Sequence, residues 1–393
     1  MEWSDRILRS DPERNGTRFV TGWLNMKLVC NREKLWAAFQ IAASVAPSRS
    51  PKEILTFIRM DATPDGVTLM ATDMEVGIRV QVEGVEIGVP GKALLPVQRM
   101  ASILRESSDE FLNIVTEDTG MLVKGNYSKF ELPSANPDEF PPVVPFEESV
   151  YHALPARMLK EMIRRTAFAT DNESSRYALG GVLFEMGDED ITAVGTDGRR
   201  MARMVGKGTM IGGKANSNNT IIPTRALTLL ERAISDKEES VDVAARANDV
   251  LVRTSRCVIY SRLVEGRFPN WRKVFPERDN TTLIECTVGP FYAALRQASI
   301  VTDAESRGIE FQFGAGSLVL SAKTSNIGQS RVEFPIGYDG ETINVTLDNR
   351  FVGDFMKVLE PESTFKIELG GEQEAVVFLT DDGYAYVVMP MSR

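Results

Sequence analysis

The chain has 393 residues, of which 43% are apolar and 25% charged, and its formal net charge is −10. That length exceeds one ordinary hydrophobic core and fits two or three domains of a soluble globular class; no run is apolar for long enough to span a bilayer, and residues 1–25 lack the apolar middle of a secretory signal. The acidic total excludes a uniformly cationic surface of the kind that neutralises phosphates.

Residues 1–25 are polar and charged and read as a disordered N-terminal extension, with folding expected to begin near Met26. From there the chain repeats itself three times, at a period of about 120 to 130 residues. The first unit opens with an amphipathic helix over 31–46, followed by alternating runs within 54–80 that read as two strands. A second helix over 91–106 and a last pair of strands, FLNIVTE with MLVKGNYSKFEL, complete it. The second unit reads helix 156–170, strands within 177–205, helix 223–235, then VDVAA with VLVRTSRCVIYSRL. In its first helix Leu159, Met162, Ile163 and Thr166 follow the three-and-four spacing of a buried face, with Arg157, Lys160 and Arg164 opposite. The third unit reads helix 289–302, strands within 308–334, helix 347–360, then FKIELG with AVVFLTDDGYAYVVM. Proline-rich linkers over 132–146 and 263–279 separate the units, since proline fixes φ and lacks an amide donor. The domains are therefore expected at 26–146, 147–279 and 280–393. The fold class is α+β, three tandem copies of one domain with two helices packed on antiparallel sheets. Sheets joined edge to edge between neighbours would hide strand edges, and closing curvature would make a ring.

Charge is partitioned unequally. The six predicted helices hold 14 Lys or Arg against 7 Asp or Glu, a net +7, which leaves −17 for the remainder. A ring lined by these helices would face phosphates with cations and read no bases, while an acidic exterior repels other DNA.

Catalytic chemistry finds little support. His152 is the only histidine, so neither a Ser-His-Asp nor a Cys-His arrangement is assembled. Cys30, Cys257 and Cys286 lack metal or redox spacing and read as buried free thiols. Asp73 and Asp197 follow equivalent strands in different units, where turn chemistry accounts for them. No glycine loop for nucleotides, cofactor site or metal cluster is expected. The residues leave two rivals open: a scaffold that binds only proteins, and a hydrolase using Asp73 or Asp197.

Four segments together carry a specific resemblance: RYALGGVLFE (176–185), TDGRRMA (196–202), LVEGRFPNWRKVFP (263–276) and YVVMPM (386–391). On the threefold repeat, the chain resembles the bacterial DNA polymerase III beta subunit, the DNA sliding clamp, over 26–393. The resemblance implies a head-to-tail homodimeric ring of DNA-clamp domains around duplex DNA. It implies no catalysis, no cofactor, and a cytoplasmic, nucleoid-associated location. Implied partners are double-stranded DNA, the replicative polymerase catalytic subunit, the clamp loader, and other polymerases and repair factors; no membrane is involved. It places a client-peptide pocket between domains two and three at Leu179, Thr196, Gly198, Arg199, Arg200, Met201, Pro269, Lys273 and Val274. From domain three it adds Asp348, Phe351, Val387, Val388, Met389, Pro390 and Met391. It points to Arg49, Arg176, Tyr177 and Arg307 for DNA contact, and to Phe130, Ile300 and Val301 for the dimer interface. Arg199, Met201 and Asp348 stand where the family commonly has histidine, leucine and asparagine, and Ala178 replaces a second aromatic beside Tyr177.

Overall fold

The computed structural model describes residues 26–391 apart from 118–119, 134, 172, 174–177, 214–219, 277–281, 304 and 306. The extension expected over 1–25 lies outside the described residues.

The first unit runs β1 (Lys27–Asn31), α1 (Arg32–Ala43), β2 (Phe57–Thr63), β3 (Gly66–Thr72), β4 (Val76–Val82), β5 (Val85–Val89) and β6 (Gly91–Pro96). It ends with α2 (Val97–Glu106), β7 (Phe111–Glu117), β8 (Gly120–Lys124) and β9 (Lys129–Pro133). The second repeats that order. It comprises β10 (Tyr151–Pro155), α3 (Ala156–Thr166), β11 (Gly181–Met186), β12 (Asp190–Thr196), β13 (Arg200–Lys207), β14 (Thr209–Ile211) and β15 (Thr220–Pro223). Then come α4 (Thr224–Ala233), β16 (Ser240–Ala245), β17 (Asp249–Arg253) and β18 (Cys257–Arg262). The third is β19 (Thr282–Thr287), α5 (Val288–Ala298), β20 (Gly308–Gly314), β21 (Ser317–Thr324), β22 (Gly328–Pro335) and β23 (Ile343–Asp348). It closes with α6 (Asn349–Lys357), β24 (Thr364–Leu369), β25 (Val376–Leu379) and β26 (Tyr384–Val388). Among the described residues it shows no counterpart of β5 and β14.

Three sequence expectations are corrected. Residues 91–96 are strand, not helix: Ala62↔Gly91 through Phe57↔Pro96 pair with β2, and Leu94 and Leu95 are buried. Pro96 ends the strand, and the helix starts only at Val97, because proline suits a helix entry where its missing donor costs nothing. Pro155 and Pro223 play the same part before α3 and α4. Secondly, each alternating run forms three strands instead of two, since the tails of the three runs form β4, β13 and β22. Thirdly, each closing pair is a meander of three strands, because its second segment folds back on itself.

The sheets cross the unit boundaries. The orders are β5-β1-β7-β8-β9, β14-β10-β16-β17-β18-β4-β3-β2-β6, β15-β11-β12-β13-β26-β25-β24-β19 and β22-β21-β20-β23. The last strand of unit two pairs with β4 of unit one, and the last strand of unit three with β13 of unit two. Each junction removes two exposed edges. Two edges of the same kind stay unpaired: β9, the last strand of unit one, and β22, the counterpart of β4 and β13.

The helices pair as α1 with α2, α3 with α4 and α5 with α6, and bury apolar faces against these sheets. Leu159, Met162, Ile163 and Thr166 of α3 are buried, while Arg157 is exposed. The observed helices hold thirteen Lys or Arg against five Asp or Glu. Cys30, Cys257 and Cys286 are free and buried. Burial pushes the Cys30 and Cys286 thiols up to about 12.

Candidate functional site

The junction of β13 and β26 organises the site. Arg200 pairs with Val388, Met201 with Val387 and Arg203 with Ala385. Side chains alternate across a strand, so these pairs split between two faces. Val388 belongs to the main core beneath the helices, together with Phe351. Met201 and Val387 join a separate apolar cluster on the other face, with Ala178, Leu183, Val194, Ile221, Phe268, Trp271 and Val377. Phe275 packs against it, edge-on to Trp271 at 6.0 Å between centroids.

Arg200 ties the junction together. Its Nε donates to Asp197 Oδ2 at 2.9 Å, Nη1 to Asp354 Oδ2 at 2.7 Å, and Nη2 to the Phe168 carbonyl at 2.8 Å. Its guanidinium lies 4.5 Å from the Phe351 ring centroid and 5.3 Å from that of Phe168. Burial works against its charge, but the Tyr386 hydroxyl and the Asp354 and Asp197 carboxylates outweigh it and hold the pKa above the ordinary arginine value. Arg200 is a permanently charged bolt rather than an open ligand for an anion.

The turn before β13 is built by its own side chains. Asp197 Oδ1 accepts from the amides of Arg199 and Arg200 at 2.9 and 3.0 Å, and Thr196 Oγ1 from that of Gly198 at 3.1 Å. Gly198 takes φ +86°, where a side chain is strained. Asp73 accepts from Glu75 and Val76 in the same way and pairs with Arg225 at 2.7 Å. Both aspartates are thus committed to turns and ion pairs.

The chain's last described residues lie across this junction. The Met389 amide donates to the Arg199 carbonyl at 2.9 Å, and that of Met391 to the Thr346 carbonyl at 2.9 Å. The segment is pinned to both units, yet the Met389 and Met391 side chains are 44% and 40% exposed. Val274, Lys273 and Arg199 are exposed, and Pro390 and Pro269 are half-buried. Leu179, Thr196, Met201, Val387 and Val388 are buried. Asp348 caps α6 through the Arg350 amide at 2.9 Å and also pairs with the Arg350 guanidinium. Val388 and Phe351 thus belong to the core on the helix side, on the opposite face from Met201 and Val387.

Of the expected DNA contacts, Arg49 is exposed in the bend after α1, and Arg307 is half-buried just before β20. Arg176 and Tyr177 lie outside the described residues. Exposed cations on the helices include Arg99, Arg105, Arg157, Arg225, Arg232 and Arg296. Of the expected interface residues, Phe130 is half-buried as the second residue of β9. Ile300 is 75% exposed in the short 3-10 turn after α5, and Val301 beside it packs on the core. A cleft of about 610 Å³ adjoins β22 at Gln329, Ser330 and Arg331, and one of about 330 Å³ adjoins β9 at Lys129, Glu131 and Leu132.

Sequence reading passed over Phe268, Trp271, Val377, Phe275 and Arg203 on the outer face. The alternation of Met201 and Arg203 along β13 was a usable signal for the last of these.

Comparison with known proteins follows this geometry. Family models of the DNA polymerase III beta subunit match in order: the N-terminal domain over 26–145, the central domain over 153–270 and the C-terminal domain over 272–392. The beta sliding clamp of Chlamydia pneumoniae is 27% identical over 369 residues, covering 93% of this chain and 99% of that protein. That of Pseudomonas putida is 26% identical over 373 residues, covering 93% and 100%. The crystal structure of the Bacillus subtilis DNA polymerase sliding clamp superposes with a TM-score of 0.88 at 24% identity, covering 94% of this chain and 100% of that one. A Pseudomonas aeruginosa sliding clamp bound to griselimycin gives 0.87 at 24% identity, with the same coverage.

Proposed function

This chain belongs to the DNA polymerase III beta subunit family, and on that footing we propose that two copies close head to tail into a ring that encircles duplex DNA. It is a sliding clamp, a processivity factor for DNA polymerase with no catalysis of its own, and DNA and a polymerase are its partners.

One observation carries the ring. Two junctions within the chain pair β18 with β4 and β26 with β13, and the same rule applied once more joins β9 to the β22 of a second copy. Two such contacts between two copies use up the free edges of this kind, so the assembly closes after a half turn. The register follows as well. Phe130 lies opposite Val123 as Ile259 lies opposite Val252, and Ser330 opposite Ala322 as Ile78 opposite Ala71. Since Ile259 pairs with Ile78, Phe130 is expected opposite Ser330 of the partner, with Ile300 and Val301 covering the contact.

In this reading the exposed arginines of the helices, with Arg49, Arg176 and Arg307, neutralise phosphates without reading bases, and Tyr177 contacts the DNA beside them. Client proteins, including the polymerase, the clamp loader and repair factors, insert an apolar peptide end at the second junction, among Leu179, Met201, Val274, Val387, Met389 and Met391. Flexible methionines suit a surface that accepts several ligands. Among the described residues no helix is long and apolar enough to cross a membrane, and work on chromosomal DNA would place the ring in the cytoplasm at the nucleoid.

The test is topological. Clamps loaded onto nicked circular DNA should stay through a salt wash, and linearising the circle should release them. Equal retention on circles and linear fragments would refute encirclement.

A further inference from the structure

The first linker crosses the sheet at the junction of units one and two. At one end Lys92 of β6 holds Asp138 at 3.2 Å, and at the other the guanidinium of Arg253 on β17 lies 4.2 Å from the Phe146 ring centroid. Between these anchors Phe140 and Val143 join Met70 and Leu94 in an apolar cluster separate from the core beneath the helices. Pro137, Phe140 and Val143 are buried, while Asp138, Glu139, Pro142 and Pro145 are exposed. After the 3-10 turn over Pro137–Glu139, Phe140 takes φ −69° and ψ 131°, the backbone of polyproline II. That helix has three residues per turn, so a side chain buried at every third position marks one face of it.

The groove beneath is cut to this shape. Gly77 of β4 forms its floor, and a Cβ there would lie 2.9 Å from Val143 Cγ1. At the second junction the same place is held by Met201, opposite Val387 as Gly77 is opposite Tyr260. Polyproline II leaves its carbonyls without internal partners, and Arg79 Nη1 donates to that of Val143 at 3.1 Å. The groove thus gives an extended peptide apolar room for every third side chain and a donor for a free carbonyl. We propose that the outer groove of the first junction is a peptide-recognition site for a proline-rich segment with two apolar side chains three residues apart, occupied in cis by the first linker and so closed to other chains. The site stands apart from peptide docking at the second junction, with which it shares no residue. A tether supplies its own ligand at an effective concentration on the order of millimolar, so a free peptide of equal affinity competes poorly.

The experiment uses the full-length protein and a labelled peptide of the linker's own sequence, residues 136–147. The double variant Phe140→Ser with Val143→Ser empties the groove while leaving its walls intact. Fluorescence anisotropy should show saturable binding of the peptide to this variant, one per chain, and none to the wild type over the same range. A peptide with both apolar residues replaced by alanine should bind the emptied variant at least roughly tenfold more weakly. Absence of saturable binding to the emptied variant overturns the site, as does equal binding by the wild type or by the alanine peptide. Should the double variant fail to fold, Gly77→Met decides with the linker sequence unchanged. Its side chain cannot share the floor with Val143, so the linker should lift and chymotrypsin should cut after Phe146 several times faster than in the wild type. An unchanged rate of that cut overturns the proposal.

Discussion

Arg200 Nη1 lies 2.7 Å from Asp354 Oδ2, which ties the first turn of β13 in the second unit to α6 in the third. The pair is largely shielded from water, and its arginine is also held by Asp197 and the Phe168 carbonyl. Removing one partner of such a pair leaves an uncompensated charge. Arg200→Met should therefore cost about 3 kcal/mol of stability, read as a lower urea midpoint, with Asp354→Asn costing less. A midpoint within error of wild type would show that the apolar contacts at this junction suffice without the ion pair.

The register at the intermolecular contact is open to a covalent test. Residues directly opposite in an antiparallel pair have Cα atoms about 4.5 to 5.5 Å apart, within the span of a disulfide. The double variant Phe130→Cys with Ser330→Cys should form chain-to-chain crosslinks under mild oxidation, whereas Phe130→Cys with Gln329→Cys should not. The three native thiols do not interfere, since all are buried. A reversed pattern on a denaturing gel would move the register by one residue.

Ile300 separates interface from fold. It is 75% exposed in the single chain, so Ile300→Asp should leave thermal unfolding of the chain nearly unchanged. It should raise the dimer dissociation constant by roughly a hundredfold or more, since a buried apolar anchor is replaced by an unpaired charge. Sedimentation velocity across a dilution series reads this out, and an unaltered dimer would remove Ile300 from the contact.

Arg99 and Arg157 are exposed on helices of different units. Replacing both by alanine should weaken binding to DNA evenly across sequences. The logarithmic salt slope should flatten by about 0.9 for each phosphate that is no longer neutralised. Retention on closed circles should persist, because topology does not depend on those charges. An unchanged salt slope would show that these helix faces do not meet the phosphates.

Met391 bridges the second junction by its backbone while its side chain stays open to solvent. Met391→Ala should weaken an apolar client peptide by about 1 kcal/mol or more and leave the oligomeric state intact. Calorimetric titration giving wild-type affinity would take Met391 out of the groove.

Much of this architecture was legible in local pattern. The buried face of α3 follows from the spacing of Leu159, Met162, Ile163 and Thr166. The three units follow from recurring helix and strand runs, and the anionic remainder from counting charges. The misreadings share one cause. Gly91 to Pro96 has the composition of a helix start, and only pairing with β2, some thirty residues back in the chain, makes it a strand.

By itself, then, the sequence determined the repeat, the amphipathic faces, the opposite charge of helices and remainder, and the family, because each is a periodic or compositional property of neighbouring residues. Tertiary structure alone decided which strand edges meet and which stay free, and which apolar cluster each of Val388 and Val387 joins. Those outcomes depend on contacts between residues more than a hundred positions apart, such as Met201 with Val387. Strand pairing at that separation is chosen by the closing of the whole core, which no local window of sequence contains.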